Sequence, residues 1–277
     1  MTDAAHDFLD IPNPSGGADW RIARKSRKAV GAGAQAPGLF WLGGFASDMS
    51  GSKASFLDDW AKARGRAFTR FDYSGHGLSQ GRFEDGCIGD WLTQAAAVFE
   101  ASTQGPQIVI GTSMGGWLAL LLARRLAEKG AQKRLAGLIL LAPAVDFTQT
   151  LMWDALDDDA RREIIEKGVW MRQSLYAPEP TPITRRLIEE ARDHLLLGGV
   201  IRAYARTHIL QGMQDPDVPW RHALTLVEHM SADPVTLSFI ADGDHRLSRD
   251  QDLAQLAAAV ELMSAPPLGE PAQDRNT

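Results

Sequence analysis

The stretch Ile108-Val109-Ile110-Gly111-Thr112-Ser113-Met114-Gly115-Gly116-Trp117 runs from three β-branched residues, through a serine between two glycines, into an apolar Ala/Leu-rich segment that extends to residue 127. It reads as a strand, a tight turn and a helix, a Gly-x-Ser-x-Gly nucleophile elbow, and it predicts a layered α/β fold. A side chain at Gly111 or Gly115 would collide with the neighbouring strand or helix, which restricts both positions to hydrogen. The strained serine backbone lifts the Ser113 hydroxyl above the sheet. It also leaves the Met114 N–H at the start of the helix, where free amides and the helix dipole favour a developing anion. Gly116 extends the small patch and lets the helix approach closely. A plain Gly-rich turn in an ordinary α/β unit can carry the same letters, so the surrounding chain decides between the two.

Apolar runs at 39–42, 67–71, 107–110, 135–141, 208–211 and 235–240 alternate with helical patterns at 53–64, 88–102, 117–129, 220–230 and 251–264. An earlier strand or hairpin is expected around 20–29. Alternation of this kind predicts a mostly parallel, doubly wound sheet. The segment 146–207 interrupts it with no convincing strand and two amphipathic stretches, 154–167 and 184–197, joined by a link carrying Trp, Met, Tyr and Pro. Such an insertion is expected to form a helical lid over the C-terminal edge of the sheet, where open α/β sheets bind ligands; two ordinary packing helices are the alternative. The expected organisation is a core of 1–145 and 208–264, a lid of 146–207, and a disordered Pro-, Gly- and polar-rich tail over 265–277.

A chain of 277 residues suits one large α/β domain with an insertion. The net charge of −6, with no long Lys/Arg run, offers no basic surface to nucleic acid or anionic lipid. A short basic cluster between Arg21 and Lys28 is interleaved with apolar residues and fits an exposed early strand. The single cysteine, Cys87, excludes an intrachain disulfide and any need for an oxidising compartment. With dispersed histidines it also excludes a Cys/His zinc site, and neither a metal nor an organic cofactor is expected. The opening Met1-Thr2-Asp3-Ala4-Ala5-His6-Asp7 is acidic and lacks the features of a secretory signal, and no apolar run is long enough for a membrane span. A cytoplasmic location is therefore expected. The composition carries no signal of oligomeric state.

A serine hydroxyl is a poor nucleophile at neutral pH and needs a histidine base oriented by an acid. After a turn of this type the acid and then the histidine should follow in the chain. Of seven histidines, His245 in Ala241-Asp242-Gly243-Asp244-His245 is best placed, on the loop after the last strand. Its other reading is an exposed loop histidine held by aspartates. His208 is expected to pack on its strand, His222 and His229 to face solvent from a helix, His194 to belong to the lid and His6 to the N-terminal tail. For the acid, Gln211-Gly212-Met213-Gln214-Asp215-Pro216-Asp217-Val218-Pro219 follows a strand, and both aspartates qualify by chemistry. Asp215, three residues after Gly212, is preferred, with Asp217 expected to cap the helix beginning near Trp220. Asp242 and Asp244 stand too close to His245 along the chain. The loop Leu42-Gly43-Gly44-Phe45-Ala46-Ser47 is either a plain glycine turn or the source of a second oxyanion donor, the Phe45 N–H, opposite Met114.

Four segments together resemble the α/β-hydrolase superfamily: Phe40-Trp41-Leu42-Gly43-Gly44-Phe45, Phe71-Asp72-Tyr73-Ser74-Gly75-His76-Gly77-Leu78-Ser79, Gly111-Thr112-Ser113-Met114-Gly115-Gly116-Trp117 and Gln211-Gly212-Met213-Gln214-Asp215. Within it, stretches spread over 38–260, among them Lys167-Gly168-Val169-Trp170 and Asp244-His245-Arg246, are similar to the abhydrolase-domain branch of palmitoyl-protein thioesterases and acyl-glucuronide esterases and its bacterial relatives. The resemblance implies Ser113 as nucleophile, Asp215 as acid and His245 as base, with Asp72 and His76 structural or near the site. It implies a serine hydrolase that cleaves carboxylic esters or acyl thioesters, of small molecules or acyl-proteins, through an acyl-enzyme. Two residues depart from the pattern: Gln211 stands where relatives often carry His, and Gly43 where Pro or His is common. There is no Arg-rich transit segment, so mitochondrial import is not implied. Met152, Trp153, Trp170, Met171 and Tyr176 either line an acyl pocket or pack the core. Other readings on the same fold are a peptidase, with 157–159 as its acidic amine site, an epoxide hydrolase or haloperoxidase, or a non-catalytic binding module. Epoxide hydrolases of this fold use an aspartate where this chain has Ser113.

Overall fold

The computed structural model describes residues 6–14, 16–173 and 178–265. The chain opens with an antiparallel hairpin, β1 (Asp7–Ile11) and β2 (Trp20–Arg27). It then alternates through β3 (Gly38–Leu42), α1 (Ser52–Ala63), β4 (Phe68–Phe71), α2 (Ile88–Ser102), β5 (Gln107–Thr112), α3 (Met114–Glu128) and β6 (Leu135–Leu141). An inserted segment carries α4 (Asp158–Lys167), β7 (Val169–Arg172), β8 (Thr181–Thr184) and α5 (Arg185–Glu190), after which β9 (Thr207–Gly212), α6 (Trp220–His229), β10 (Val235–Ile240) and α7 (Asp250–Ser264) complete the fold. Among the described residues the main sheet has eight strands in the order β1-β2-β4-β3-β5-β6-β9-β10. The six from β4 to β10 are parallel, and β2 joins β4 antiparallel. This is the mostly parallel, doubly wound sheet that the alternation predicted, in the α/β-hydrolase architecture that the resemblance implied.

Central strands buried on both faces need apolar side chains on both, which is why they read as continuous runs. Leu39, Trp41, Ile108, Ile110, Ile139 and Leu141 face a layer with Leu57 of α1 and Leu256 and Val260 of α7. Their neighbours Phe40, Leu42, Val109, Leu138 and Leu140 face Trp91, Phe99, Trp117 and Leu121 of α2 and α3. At the edge, α1 is fastened by Asp58, whose carboxylate takes Arg27 at 2.6 Å, Arg70 at 2.8 Å and Lys25 at 3.6 Å.

The inserted segment departs from the expectation of two helices without a strand. Gly168, in the left-handed region at φ 84, ends α4, and the chain then pairs β7 with β8 as an antiparallel hairpin. Val169, Thr181, Ile183 and Thr184 supply the β-branched residues. The first stretch becomes helical only at Asp158, because Asp157 caps it by accepting the Ala160 N–H at 2.8 Å; a π-helical turn, Thr148–Met152, and a 3-10 turn, Trp153–Ala155, precede it. The second stretch is the six-residue α5 and a 3-10 turn, Ala191–His194. It stops there because Asp146 captures the amides of Leu196 and Leu197 at 2.9 and 2.7 Å, which helix carbonyls would otherwise take. β1 lies before the hairpin expected from sequence, and α3 begins at Met114 rather than at 117. Of the expected tail, 266–277 lie outside the described residues.

Candidate active site

Ser113 ends the turn between β5 and α3 with φ 53 and ψ −120, a conformation that L-residues rarely adopt. The reason for glycine on either side is visible in the packing. A Cβ on Gly111 would sit 2.2 Å from the Gly115 carbonyl oxygen of α3, and one on Gly115 would sit 2.2 Å from the Leu42 oxygen of β3. Gly116 abuts Pro143, where a Cβ would lie 2.8 Å from that ring. Ser113 stands at the N-cap position but its side chain makes no capping bond. Its Oγ lies 3.1 Å from His245 Nε2.

His245 is carried on the loop after β10, and its Nδ1 lies 2.8 Å from Asp215 Oδ2. The Asp215 side chain is fully buried and that of His245 is 17% exposed, so the inner pair is shielded while the imidazole borders the cavity. Asp215 is held by four donors: Asp217 and Val218 give their backbone N–H groups to Oδ1 at 2.9 and 2.8 Å, and Gln211 Nε2 donates to Oδ2 at 3.3 Å beside His245. Because a carboxylate only accepts, His245 carries its hydrogen on Nδ1 and turns a lone pair on Nε2 toward the Ser113 hydroxyl. The acid loop and the histidine loop meet at Gly212, where a Cβ would lie 2.4 Å from the Gly243 carbonyl oxygen.

A cavity of about 590 Å³ opens over this relay. Phe45 and Met114 border it beside Ser113, and neither backbone N–H has a protein acceptor among the described residues. Gly44 brings the Phe45 loop against the serine: a Cβ there would lie 3.4 Å from Ser113 Cβ. Phe147, Leu151 and Met152 give the cavity an apolar wall, and Arg172, Gln173 and Thr181 of the inserted segment close another side. A wider hollow of about 1830 Å³ lies at the opposite edge of the sheet, among Arg24, Thr69, Gln104 and Thr207.

Several side chains sit elsewhere than the sequence suggested. Asp217 does not cap α6, whose N-cap is Pro219 with no side-chain bond; it faces the cavity and accepts Arg172 Nη2 of β7 at 3.4 Å. His222 turns inward instead of facing solvent, with Nε2 2.9 Å from the Val145 carbonyl oxygen, and burial holds its pKa below the ordinary range. His229 is half-buried, with Nδ1 2.9 Å from the Gly199 carbonyl oxygen. His208 pairs with Ser238 Oγ at 2.9 Å, and His194 with Glu190 at 2.8 Å. Of the lid residues expected at an acyl pocket, Met152 borders the cavity, Trp153 and Trp170 pack against the main core, and Met171 is exposed. Tyr176 lies outside the described residues. Phe147 and Leu151 went unnoticed in the sequence; their signal was the position directly after the Pro143 turn at the C-terminal edge of β6.

A model of the alpha/beta hydrolase family matches residues 31–260. Palmitoyl-protein thioesterase ABHD10, mitochondrial, of Mus musculus is 34% identical over 226 residues, covering 81% of this chain and 74% of that protein. A crystal structure from Agrobacterium vitis S4 superposes with a TM-score of 0.89 at 42% identity, over 95% of this chain and 99% of the other. The structure of mouse alpha/beta hydrolase domain-containing protein 10 gives a TM-score of 0.80 at 30% identity, over 94% and 98%. No helix among the described residues is long and apolar enough to cross a membrane. The thioesterase relative is named mitochondrial, so it lends no support to the expected cytoplasmic location.

Proposed function

This chain belongs to the alpha/beta hydrolase family, and on that footing we propose that it is a serine hydrolase cleaving carboxylic esters or acyl thioesters. The observation that carries the reading is the continuous relay from Ser113 Oγ to His245 Nε2 at 3.1 Å and from His245 Nδ1 to Asp215 at 2.8 Å, at the floor of an open cavity. Ser113 Oγ bonds to the acyl carbon while its proton passes to His245 Nε2, and Asp215 stabilises the imidazolium that forms. The charge on the former carbonyl oxygen is met by the Phe45 and Met114 N–H groups, of which one such donor contributes on the order of 3 kcal/mol. Collapse breaks the bond to the alkoxide or thiolate, which leaves with the proton from His245. Water, deprotonated by His245, then cleaves the acyl-enzyme to release the carboxylic acid and restore Ser113. Phe147, Leu151 and Met152 would receive the acyl chain, with the inserted segment acting as a lid over it. The thioester arm rests on the relatives named as palmitoyl-protein thioesterases.

The test is hydrolysis of matched p-nitrophenyl esters and acyl thioesters, from short to long chains, by the protein and its Ser113→Ala variant. Turnover that falls at least about 10⁴-fold in the variant is expected. Absence of turnover together with absence of fluorophosphonate labelling would favour a binding module.

A further inference from the structure

The loop bearing Phe45 turns tightly at Phe45 and Ala46. Two glycines precede Phe45, and Ala46 after it sits at φ 52, in the left-handed region that a residue with a Cβ adopts rarely. Support comes from the turn that follows β4. His76 Nε2 lies 3.3 Å from the Ala46 amide nitrogen, and His76 Nδ1 lies 3.1 Å from the Ser74 carbonyl oxygen. Each partner has a single role: the carbonyl can only accept and the amide can only donate. The hydrogen on this imidazole is therefore on Nδ1, and the Nε2 lone pair receives the Ala46 N–H.

The ring cannot swing away from this arrangement. His76 is 4% exposed, with ring centroids 5.0 Å from Phe83, 5.2 Å from Trp91 and 5.6 Å from Tyr73. Burial pushes its pKa down to about 4, against the pull of the Ser74 carbonyl and the Asp48 charge, so the neutral form persists at neutral pH. The same aromatic group grips Phe45, whose ring lies 4.9 Å from Phe83 and 6.0 Å from Trp91. Asp72 ties the far end of the loop to the same turn, accepting Met49 N–H at 2.6 Å and Leu78 N–H at 2.8 Å.

Resting on the reading of Ser113 as a hydrolytic nucleophile, we infer that His76, as the neutral Nδ1–H tautomer, is a positioning residue for the oxyanion hole. By accepting the Ala46 N–H it fixes the peptide plane between Phe45 and Ala46, and with it the torsions that aim the Phe45 N–H at the reacting oxygen. It touches no substrate atom; it acts through the loop.

Wild-type protein is assayed first, by ester turnover and by fluorophosphonate labelling, and its imidazole nitrogens are observed by ¹⁵N NMR at neutral pH. His76 should show hydrogen on Nδ1 and a bare Nε2. His76→Leu fills the space without an acceptor and should lower kcat by about tenfold or more with KM within about threefold, because a mis-aimed donor is missed chiefly in the transition state. His76→Gln returns an acceptor near the Nε2 position and should recover most of that loss, which a purely space-filling role would not. A hydrogen on Nε2, full kcat in His76→Leu, or equal losses in the Leu and Gln variants would each overturn the inference. If His76→Leu does not fold, the wild-type spectrum and His76→Gln decide it. A wild type that neither turns over nor labels would overturn the Ser113 reading itself, and the inference with it.

Discussion

Replacing Asp215 by Asn tests the relay by changing one atom, and the surrounding donors dictate where that atom goes. Oδ1 receives the backbone N–H groups of Asp217 and Val218 at 2.9 and 2.8 Å, so the amide oxygen of Asn must occupy that position. A flipped amide would set its NH₂ against one buried and one partly buried N–H group and leave both unpaired, at a cost of about 1–3 kcal/mol for the buried one. The NH₂ is thereby placed at Oδ2, 2.8 Å from His245 Nδ1. Facing a donor, Nδ1 becomes the acceptor and the imidazole hydrogen moves to Nε2, where it points at Ser113 Oγ, and the base has no lone pair left for the serine proton. Loss of the correct tautomer in this way lowers turnover by about 10⁴-fold, or about 5 kcal/mol of transition-state stabilisation. The assay is kcat/KM on a p-nitrophenyl ester with the rate of fluorophosphonate labelling, beside thermal unfolding. The melting temperature should move little, because both backbone donors keep their acceptor and Gln211 Nε2, which loses Oδ2, keeps the Gly212 and Val218 carbonyl oxygens at 3.0 Å. A folded Asp215→Asn protein with kcat/KM within tenfold of the wild type would refute the assignment of Asp215 and of the His245 tautomer.

Other predictions concern stability, specificity and metal dependence. Asp58→Asn leaves Arg27, Arg70 and Lys25 around a neutral amide in a setting where the Asp58 side chain is 8% exposed, and should destabilise the fold by about 3 kcal/mol in denaturant titration. Although burial raises the Asp58 pKa, its bond to Arg27 and the charges of Arg70, Arg27 and Lys25 bring it below the ordinary value near 4. Its contribution is thus present above about pH 4 and lost as pH falls further, so the gap between wild type and variant should close in acid. A gap that stays constant down to pH 2 would contradict this. Leu151→Trp fills part of the cavity wall and should move the preference to shorter acyl chains, with each displaced methylene worth about 0.8 kcal/mol, or about fourfold in kcat/KM; an unchanged chain-length profile would place the acyl chain elsewhere. Asp215, Asp217 and His245 offer atoms within 4.8 Å of one another, a spacing open to a cation. The lone pairs of Asp215 are engaged by hydrogen-bond donors, so turnover should survive dialysis against a chelator, and loss restored by a divalent cation would count against the relay.

Much of the fold was legible because its causes are local. Strands β3, β5, β6 and β9 are bounded within a residue or two of their apolar runs, since strands buried on both faces announce themselves without partners, and the partly exposed edge strand β10 matches its run as well. The elbow was legible because its glycines answer to steric limits imposed by the adjoining strand and helix, and Ser113, Asp215 and His245 were named in chain order from their places after strand ends. The inserted segment was read less well. Its periodicity suggested a second helix as far as 197, but the Asp146 carboxylate, 50 residues earlier, takes the amides that would have continued it.

The sequence by itself therefore determined the parallel α/β architecture, the strained turn and the three side chains, Ser113, Asp215 and His245, that the structure brings together, because these follow from side-chain period, backbone sterics and chemical type. Only the tertiary structure decided how they are held. Asp217 turns to Arg172, 45 residues away, instead of capping the next helix; His76 braces Ala46 across 30 residues; and Phe147 and Leu151 become the cavity wall. Each of these choices is a competition between a local partner and a distant one. Which partner prevails depends on distances and burial that exist only once the sheet has assembled.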